Sequence, residues 1–321
     1  MQRFRNILCV VQEPSDAAAL ERAVSLAENN QSALTIARVI PRLATDMRLP
    51  EGGPTSEALR EWTRAEHLES LEAMARPYVD RVDLALRLLE GTEFLQIIRA
   101  VLADGYDLII KAAEDPPYLR RLFGADDMHL LRKCPCPLWL TRPAEKANYG
   151  RILAAVDFDP AEPREAATAL NRTILELAAA LSVSDFAELH VVHAWDAPAE
   201  DVIRRWAAVP DSAATNYAEA ERSAHARGLE QLGAQLKEWL GDESYDYIAP
   251  RYHLARGSAV TVVPHLATEL QADLVVMGTV ARTGISGLII GNTAESILEQ
   301  LPCAVLAVKG PGFVSPVRLP G

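Results

Sequence analysis

Positive charge is in short supply in this chain. Lys and Arg number 32 against 44 Asp and Glu, for a formal net charge of −12. A field of that sign repels phosphate backbones and anionic lipid surfaces, which argues against nucleic acid or a membrane surface as partner. No apolar run approaches ~18 residues, so no stretch reads as a bilayer-spanning helix. Cysteine is sparse: Cys9, Cys134, Cys136 and Cys303. Cys9 and Cys303 lie in apolar strand patterns and read as small hydrophobes. Cys134-Pro135-Cys136 is the one close pair, and a C-x-C without a second pair at ligand spacing reads as a loop and strand start. Catalytic signatures are also missing. There is no G-x-S-x-G elbow and no G-x-x-x-x-G-K-[ST] loop. The seven histidines (His67, His129, His190, His193, His225, His253, His265) contain no i, i+4 pair with a glutamate, the helical signature of a zinc site. The opening Met1-Gln2-Arg3-Phe4-Arg5 leads into a short strand-like run, not a long apolar segment with a cleavage site. The expectation is a cytoplasmic protein.

What is present is a core and a repeat. Hydrophobic residues make up 49% of the 321, ample for packed interiors, and the length allows two domains. Asn6-Ile7-Leu8-Cys9-Val10-Val11-Gln12 parallels Arg151-Ile152-Leu153-Ala154-Ala155-Val156-Asp157. Glu90-Gly91 parallels Arg256-Gly257, each before a helix. Tyr106-Asp107-Leu108 parallels Ala272-Asp273-Leu274, and Leu130 to Pro135 parallels Ile297 to Pro302. The offset between copies is 145 at the first strand and 166 at the fourth, so the second copy is about 21 residues longer. Two tandem domains follow, at 1–144 and 150–310, with a Pro/Gly-rich tail at 311–321 expected to be loosely held.

Each copy alternates strand and helix. Strands are expected at 7–11, 33–39, 84–89, 108–112 and 138–141, then at 152–156, 189–195, 247–255, 274–278 and 304–309. Helices are expected at 16–28, 55–78, 92–103 and 126–132, then at 162–181 and 214–239, with further helices after Gly257 and from Asn292. Strands apolar on both faces with helices between them predict two tandem doubly wound α/β units, each a parallel five-stranded sheet. Ligands of such sheets bind beyond the carboxyl ends of the strands, where strand order switches. His190 and His193 share a strand three residues apart, hence on opposite faces.

The stretch from Asp273 to Leu298 carries the most chemistry. An apolar strand ends at Gly278, and Asn292-Thr293-Ala294-Glu295 reads as a helix start with Asn292 as cap and Glu295 reaching back to it. Glycines stand between at Gly284, Gly287 and Gly291. A glycine-rich turn from a strand tip into a helix N-terminus gathers N–H groups for an anion, most often a phosphate. Arg282 and Lys309 are the nearby cations. Asp157 ends the first strand of the same copy, next to Gly278 in such a sheet, where its carboxylate can accept hydrogen bonds from a ribose or an adenine amine.

The spacing Gly278, Ala281, Gly291, Asn292 resembles the nucleotide loop G-x-x-G-x9-G-[S/T] of the universal stress protein family, and Arg282-Thr283-Gly284 matches its wording. Two positions depart from the pattern. Ala281 replaces the second glycine, adding a methyl and losing easy access to positive φ. Asn292 replaces the Ser/Thr. The resemblance covers 4–144 and 150–309 and is closest to the tandem E-type members. It implies the doubly wound fold, a cytoplasmic stress-response role by binding, at most weak ATP hydrolysis, and self-association, within the chain or as a dimer. It also implies ATP or another adenine nucleotide, with Mg²⁺, held by Asp157, Val192, Gly278, Ala281, Arg282, Gly291, Asn292 and Thr293. In the first copy Gln12 stands for Asp157, Ala112 for Gly278 and Asp115 for Ala281, while Gly124 survives opposite Gly291 and is followed by Ala125-Asp126-Asp127. Acids there compete with a phosphate, so no nucleotide is expected in the first copy. The competing readings are a nucleotide-free interaction scaffold or apolar-ligand binder, and an adenylating enzyme of the same architecture.

Overall fold

The computed structural model describes residues 4–44, 53–114, 123–142, 149–162, 164–206, 210, 212–279 and 290–320. Among these, the chain divides into two compact units, one containing residues 4–142 and 313–320, the other 149–279 and 290–312.

In the first unit the elements follow as β1 (Asn6–Val10), α1 (Ala17–Asn30), β2 (Ala33–Ile40), α2 (Ser56–Ala75), β3 (Leu84–Glu90), α3 (Glu93–Asp104), β4 (Leu108–Ala112), α4 (Ala125–Lys133) and β5 (Leu138–Thr141). The strands lie in the order β3-β2-β1-β4-β5, and every neighbouring pair is parallel. The second unit repeats the plan: β6 (Arg151–Val156), α5 (Glu165–Asp185), β7 (Glu188–Trp195), α6 (Glu200–Arg205), α7 (Ser212–Leu240), α8 (Asp242–Ile248), β8 (Arg251–Arg256), α9 (Ala259–Glu269), β9 (Leu274–Gly278), α10 (Asn292–Leu298) and β10 (Ala304–Val308). Its order is β8-β7-β6-β9-β10, again all parallel. The doubly wound architecture expected of each copy is therefore present.

The central strands are buried on both faces because helices cover each side. Ile7, Leu8 and Cys9 of β1, Leu108 to Ile110 of β4, and Leu274 to Val276 of β9 have no accessible surface. The helices present one apolar stripe: in α1, Ala19, Leu20, Ala23, Val24 and Ala27 recur at three- and four-residue spacing and are buried.

The repeated aspartate sets the strand register. Asp107 accepts from the Arg5 N–H at 2.8 Å and the Asn6 N–H at 3.2 Å. Asp273 accepts from the Gly150 N–H at 2.7 Å and the Arg151 N–H at 3.0 Å. Each acid joins the start of the fourth strand of its unit to the start of the first. The repeated glycines have a conformational reason: Gly91 and Gly257 turn the chain from strand to helix at φ 134° and 132°, where a side chain is strained.

Some expected boundaries move. Residues 247 and 248 belong to α8, and Ala249 caps that helix in the left-handed region, so the third strand of the second unit starts at Arg251 and not at Tyr247. Helix α6 has no counterpart in the sequence reading; a six-residue segment is too short for a helical period to show. In the tail, Ser315 is buried while Val314 is 63% exposed, so the segment is held in part.

Candidate functional site

Strand order switches between β6 and β9 in the second unit. Ala155 pairs with Met277, which brings Asp157 and the Gly278–Thr279 peptide out side by side beyond the strand ends. Asp157 is exposed, and its backbone is fixed by Asn171 of α5. The Asp157 N–H donates to Asn171 Oδ1 at 3.1 Å, and Asn171 Nδ2 donates to the Asp157 carbonyl at 2.9 Å. Asn171 is 3% exposed. Its one readable trace in the sequence was an amide on an otherwise apolar helix face.

Gly278 has a packing reason that the sequence reading did not include. A methyl group placed on it would lie 2.7 Å from Leu170 Cδ2, so any larger residue would have to displace the Leu170 side chain of α5. Beyond it, Thr279 is fully buried. Its N–H donates to the Val308 carbonyl at 3.1 Å, and its carbonyl accepts from the Gly291 N–H at 3.1 Å. Its hydroxyl accepts from Lys309 Nζ at 2.7 Å. Lys309 thus brings an ammonium to the end of β9. The cap of α10 differs from expectation. Gly291 is the N-cap, Asn292 is the first helical residue, and no side chain closes a capping box. The leading N–H groups at Asn292 and Thr293 are those that a helix leaves without an internal acceptor. With seven residues, α10 contributes little dipole. Ala281, Arg282, Gly284 and Gly287 lie outside the described residues.

Val192 sits within β7, flanked in the ladder by Ala155 and His253, three residues before the strand ends. Its side chain is 1% exposed. The adjacent His193 faces the other side, as the alternation required. Phe158 stacks on the His193 ring with centroids 3.8 Å apart, and His193 Nε2 lies 2.8 Å from His225 Nδ1 of α7. Its Nδ1 lies 3.3 Å from the Val156 carbonyl. With a proton on Nδ1 the ring donates to that carbonyl and accepts from His225. Burial pushes the His193 pKa down to about 4, against the pull of the Val156 carbonyl. Helix α7 carries Gly228 where a methyl would overlap the Phe158 ring, so the aromatic group behind Asp157 has a place cut for it. On the opposite face His190 Nδ1 lies 2.9 Å from His253 Nε2.

The corresponding edge of the first unit is filled by its own side chains. Lys111, at the place of Met277, is 4% exposed. Its Nζ donates to Asp127 Oδ1 at 2.8 Å and lies 3.3 Å from Glu93 and 3.8 Å from Glu114. Asp127 is fully buried and also accepts from the Glu114 N–H at 2.7 Å. The Glu114 carboxylate lies against Gly124, where a methyl would overlap it. Gln12, at the place of Asp157, donates to Glu93 at 2.8 Å. Burial alone would lower the Lys111 pKa, but Asp127 and Glu93 carry it above its ordinary value. Burial and then Asp127 push Glu114 up to about 7. Asp115 lies outside the described residues.

A family model described as the universal stress protein family matches residues 3–142 and again 148–309. The chain belongs to the universal stress protein family. It is a tandem member similar to universal stress protein E of Escherichia coli (strain K12), with 28% identity over 324 residues, covering 99% of this chain and 98% of that protein. Universal stress protein E of Photorhabdus laumondii is 29% identical over 329 residues, with 99% of each chain covered. Among solved structures, a protein of unknown function from Pseudomonas aeruginosa PAO1 is 28% identical with a TM-score of 0.64, over 96% of this chain and 93% of that one. A universal stress protein from Archaeoglobus fulgidus DSM 4304 shares the fold with a TM-score of 0.62 at 16% identity, over 95% and 98% of the two chains.

Among the described residues of this second universal stress protein unit, two cavities stand out. One, of about 380 Å³, adjoins the Asp157 edge between α5 and α7 and is lined by Phe158, Thr168, Asn171, Arg227 and Gln231. The other, of about 440 Å³, lies between α7, α8 and β8, with Leu229, Gly233, Tyr245, Tyr252 and Leu254 on its walls. No described helix is long and apolar enough to cross a membrane.

Proposed function

We propose that this tandem universal stress protein takes one adenine nucleotide, ATP or a relative, at the β6–β9 edge of its second unit, and none in its first. The carrying observation is Lys309 donating to the buried Thr279 beside the exposed Asp157. An ammonium for phosphate and a carboxylate for a ribose hydroxyl or an adenine amine then occupy adjacent strand ends, the place where such sheets hold ligands. The N–H groups of Asn292 and Thr293, after the Gly291 cap, are further donors for phosphate. Gly278 keeps the strand tip close to α5. Ala281, Arg282 and the Val192 backbone belong to the same reading through the family resemblance. Mg²⁺ would arrive as the counterion of the phosphates.

The first unit supports the asymmetry. Its corresponding space holds the Lys111–Asp127 ion pair, with the Glu114 carboxylate lying against Gly124. The protein then acts by binding in a cytoplasmic stress response, with self-association of units or chains, and with ATP hydrolysis at most slow.

Titration calorimetry and thermal shift with ATP–Mg²⁺ test the reading. The expected stoichiometry is one per chain. Lys309→Met should weaken binding tenfold or more, because a hydrogen bond to a charged group contributes about 1.5–3 kcal/mol. Absence of both heat and shift at millimolar nucleotide ends the proposal. An apolar molecule co-purifying in place of nucleotide would point to the Tyr245–Tyr252 cavity instead.

A further inference from the structure

The Cys134-Pro135-Cys136 segment has a geometry that its sequence spacing did not disclose. Cys134 is the C-cap of α4, in extended conformation at φ −71° and ψ 132°, and its N–H donates to the Leu130 carbonyl at 2.9 Å. The chain then turns through Pro135 towards β5. The turn brings the two sulfurs together, Sγ to Sγ at 3.6 Å. Side-chain rotations that shorten this separation by about 1.5 Å would reach disulfide bonding distance. All four cysteines are free thiols. Cys9 lies inside β1 and Cys303 just before β10. The pair therefore differs in kind from the other two.

We propose that Cys134 and Cys136 are a reversible oxidation site, closing to an intramolecular disulfide when the protein meets a two-electron oxidant such as hydrogen peroxide. Cys136 is 9% exposed and Cys134 1%, so the first attack falls to Cys136. Its thiolate attacks one peroxide oxygen, the O–O bond breaks, and the departing hydroxide takes a proton to leave as water. Cys136 is then a sulfenic acid. The Cys134 sulfur, already in contact, attacks that sulfur, the S–O bond breaks, and a second water leaves with the remaining thiol proton. In total, two thiols lose two electrons and two protons, and one peroxide becomes two waters. A thiol reductant reverses the bond by exchange. The disulfide would fix the C-terminal end of α4 to the entry of β5, in the unit whose ligand edge is filled.

The neighbouring Cys134 thiol, burial and the Asp107 carboxylate all hold the Cys136 thiol above its ordinary range. Reaction near neutral pH is therefore slow, and its rate should rise about tenfold per pH unit while the thiolate is a small fraction. Slow entry and fast closure favour the disulfide over further oxidation, because the resolving thiol is already in place.

The test uses the full chain, treated with hydrogen peroxide, alkylated after denaturation, and weighed intact. The expected result is two alkyl adducts in place of four, on a chain about 2 Da lighter than the reduced one, reversed by reductant, with the bond mapped to the Cys134–Cys136 peptide. Cys9→Ala with Cys303→Ala should leave that loss unchanged. Cys134→Ala should abolish it and leave Cys136 gaining about 16 or 32 Da as sulfenic or sulfinic acid. Circular dichroism of each variant confirms that it is folded. Four alkylatable thiols after a peroxide dose that oxidises the urea-unfolded chain would overturn the proposal. So would a disulfide that maps to any other pair, or a loss that persists in Cys134→Ala.

Discussion

Acidification should destabilise the second unit through His193. In the folded protein this ring is 1% exposed, stacked under Phe158 and hydrogen-bonded to His225, and its pKa falls from the ordinary 6.5 to about 4. In the unfolded chain it takes a proton below about 6.5. Between those values the unfolded state binds more protons than the folded one, so stability rises with pH in this window. The contribution is fully present above about 6.5 and is lost as pH falls towards 4. Each pH unit is worth about 1.4 kcal/mol, so the whole gap amounts to about 3 kcal/mol. His225, and His190 and His253 on the opposite face, are also lowered, each mainly by burial, and act in the same direction. Carboxylates titrate in the same range, so the informative quantity is a difference of differences. Urea unfolding of the wild type and His193→Phe is compared at pH 7 and pH 4.5. The phenylalanine keeps a ring under Phe158 and removes the titration. The wild type should lose about 2–3 kcal/mol more than the variant over that interval. Equal losses in the two proteins would refute the assignment of the acid sensitivity to this ring.

Three further outcomes are expected. Lys111→Met removes the cation facing the fully buried Asp127, and leaving that charge unpaired should cost the first unit about 3–5 kcal/mol in denaturant titration; Lys111→Met with Asp127→Leu should recover most of it. Gly228→Ala drives a methyl into the Phe158 ring and should cost about 1–3 kcal/mol, whereas Gly228→Ala with Phe158→Leu should be close to neutral. Asn171→Leu leaves the Asp157 peptide without its two side-chain hydrogen bonds, so it should cost about 1–3 kcal/mol and weaken ATP binding by calorimetry more than it changes the binding of free Mg²⁺.

The architecture was readable because a repeat states it twice. Strands apolar on both faces, the Asp-Leu pairs at 107 and 273, and the glycines at 91 and 257 all carried period or position. The site was readable in outline only. Asp157 and Gly278 stand at the ends of the neighbouring strands β6 and β9, as the strand order implied, but the packing reason for Gly278 was not read. Gly278 was read as the strand end and first glycine of the loop spacing, and the closeness of the Leu170 side chain to it comes from helix–sheet packing, which no local pattern encodes. Asn171 and Lys309 act on residues 14 and 30 positions away in sequence, so no window reading could pair them. Asn292 looked like a cap because Asn-x-x-Glu is a capping pattern; Gly291 took the position because its own N–H closes onto the Thr279 carbonyl. In the first unit the acids at 115, 126 and 127 were read as competitors of a phosphate; that Lys111 would pair with Asp127 inside the unit was not read. A lone lysine in an apolar strand gives no sign of the charge that will face it.

The paired clasps at Asp107 and Asp273 have a consequence for how such a duplicated chain can change. Each acts where the strands begin, at the opposite end of its sheet from the edge proposed for the nucleotide. Strand alignment and cargo are therefore under separate control. One copy can exchange a glycine loop for an internal ion pair, or keep it, without shifting a single pairing in its sheet. After duplication the two edges are free to drift towards different tasks while the foundations stay alike. The buried Lys111 and the exposed Asp157 are two such different edges in one molecule.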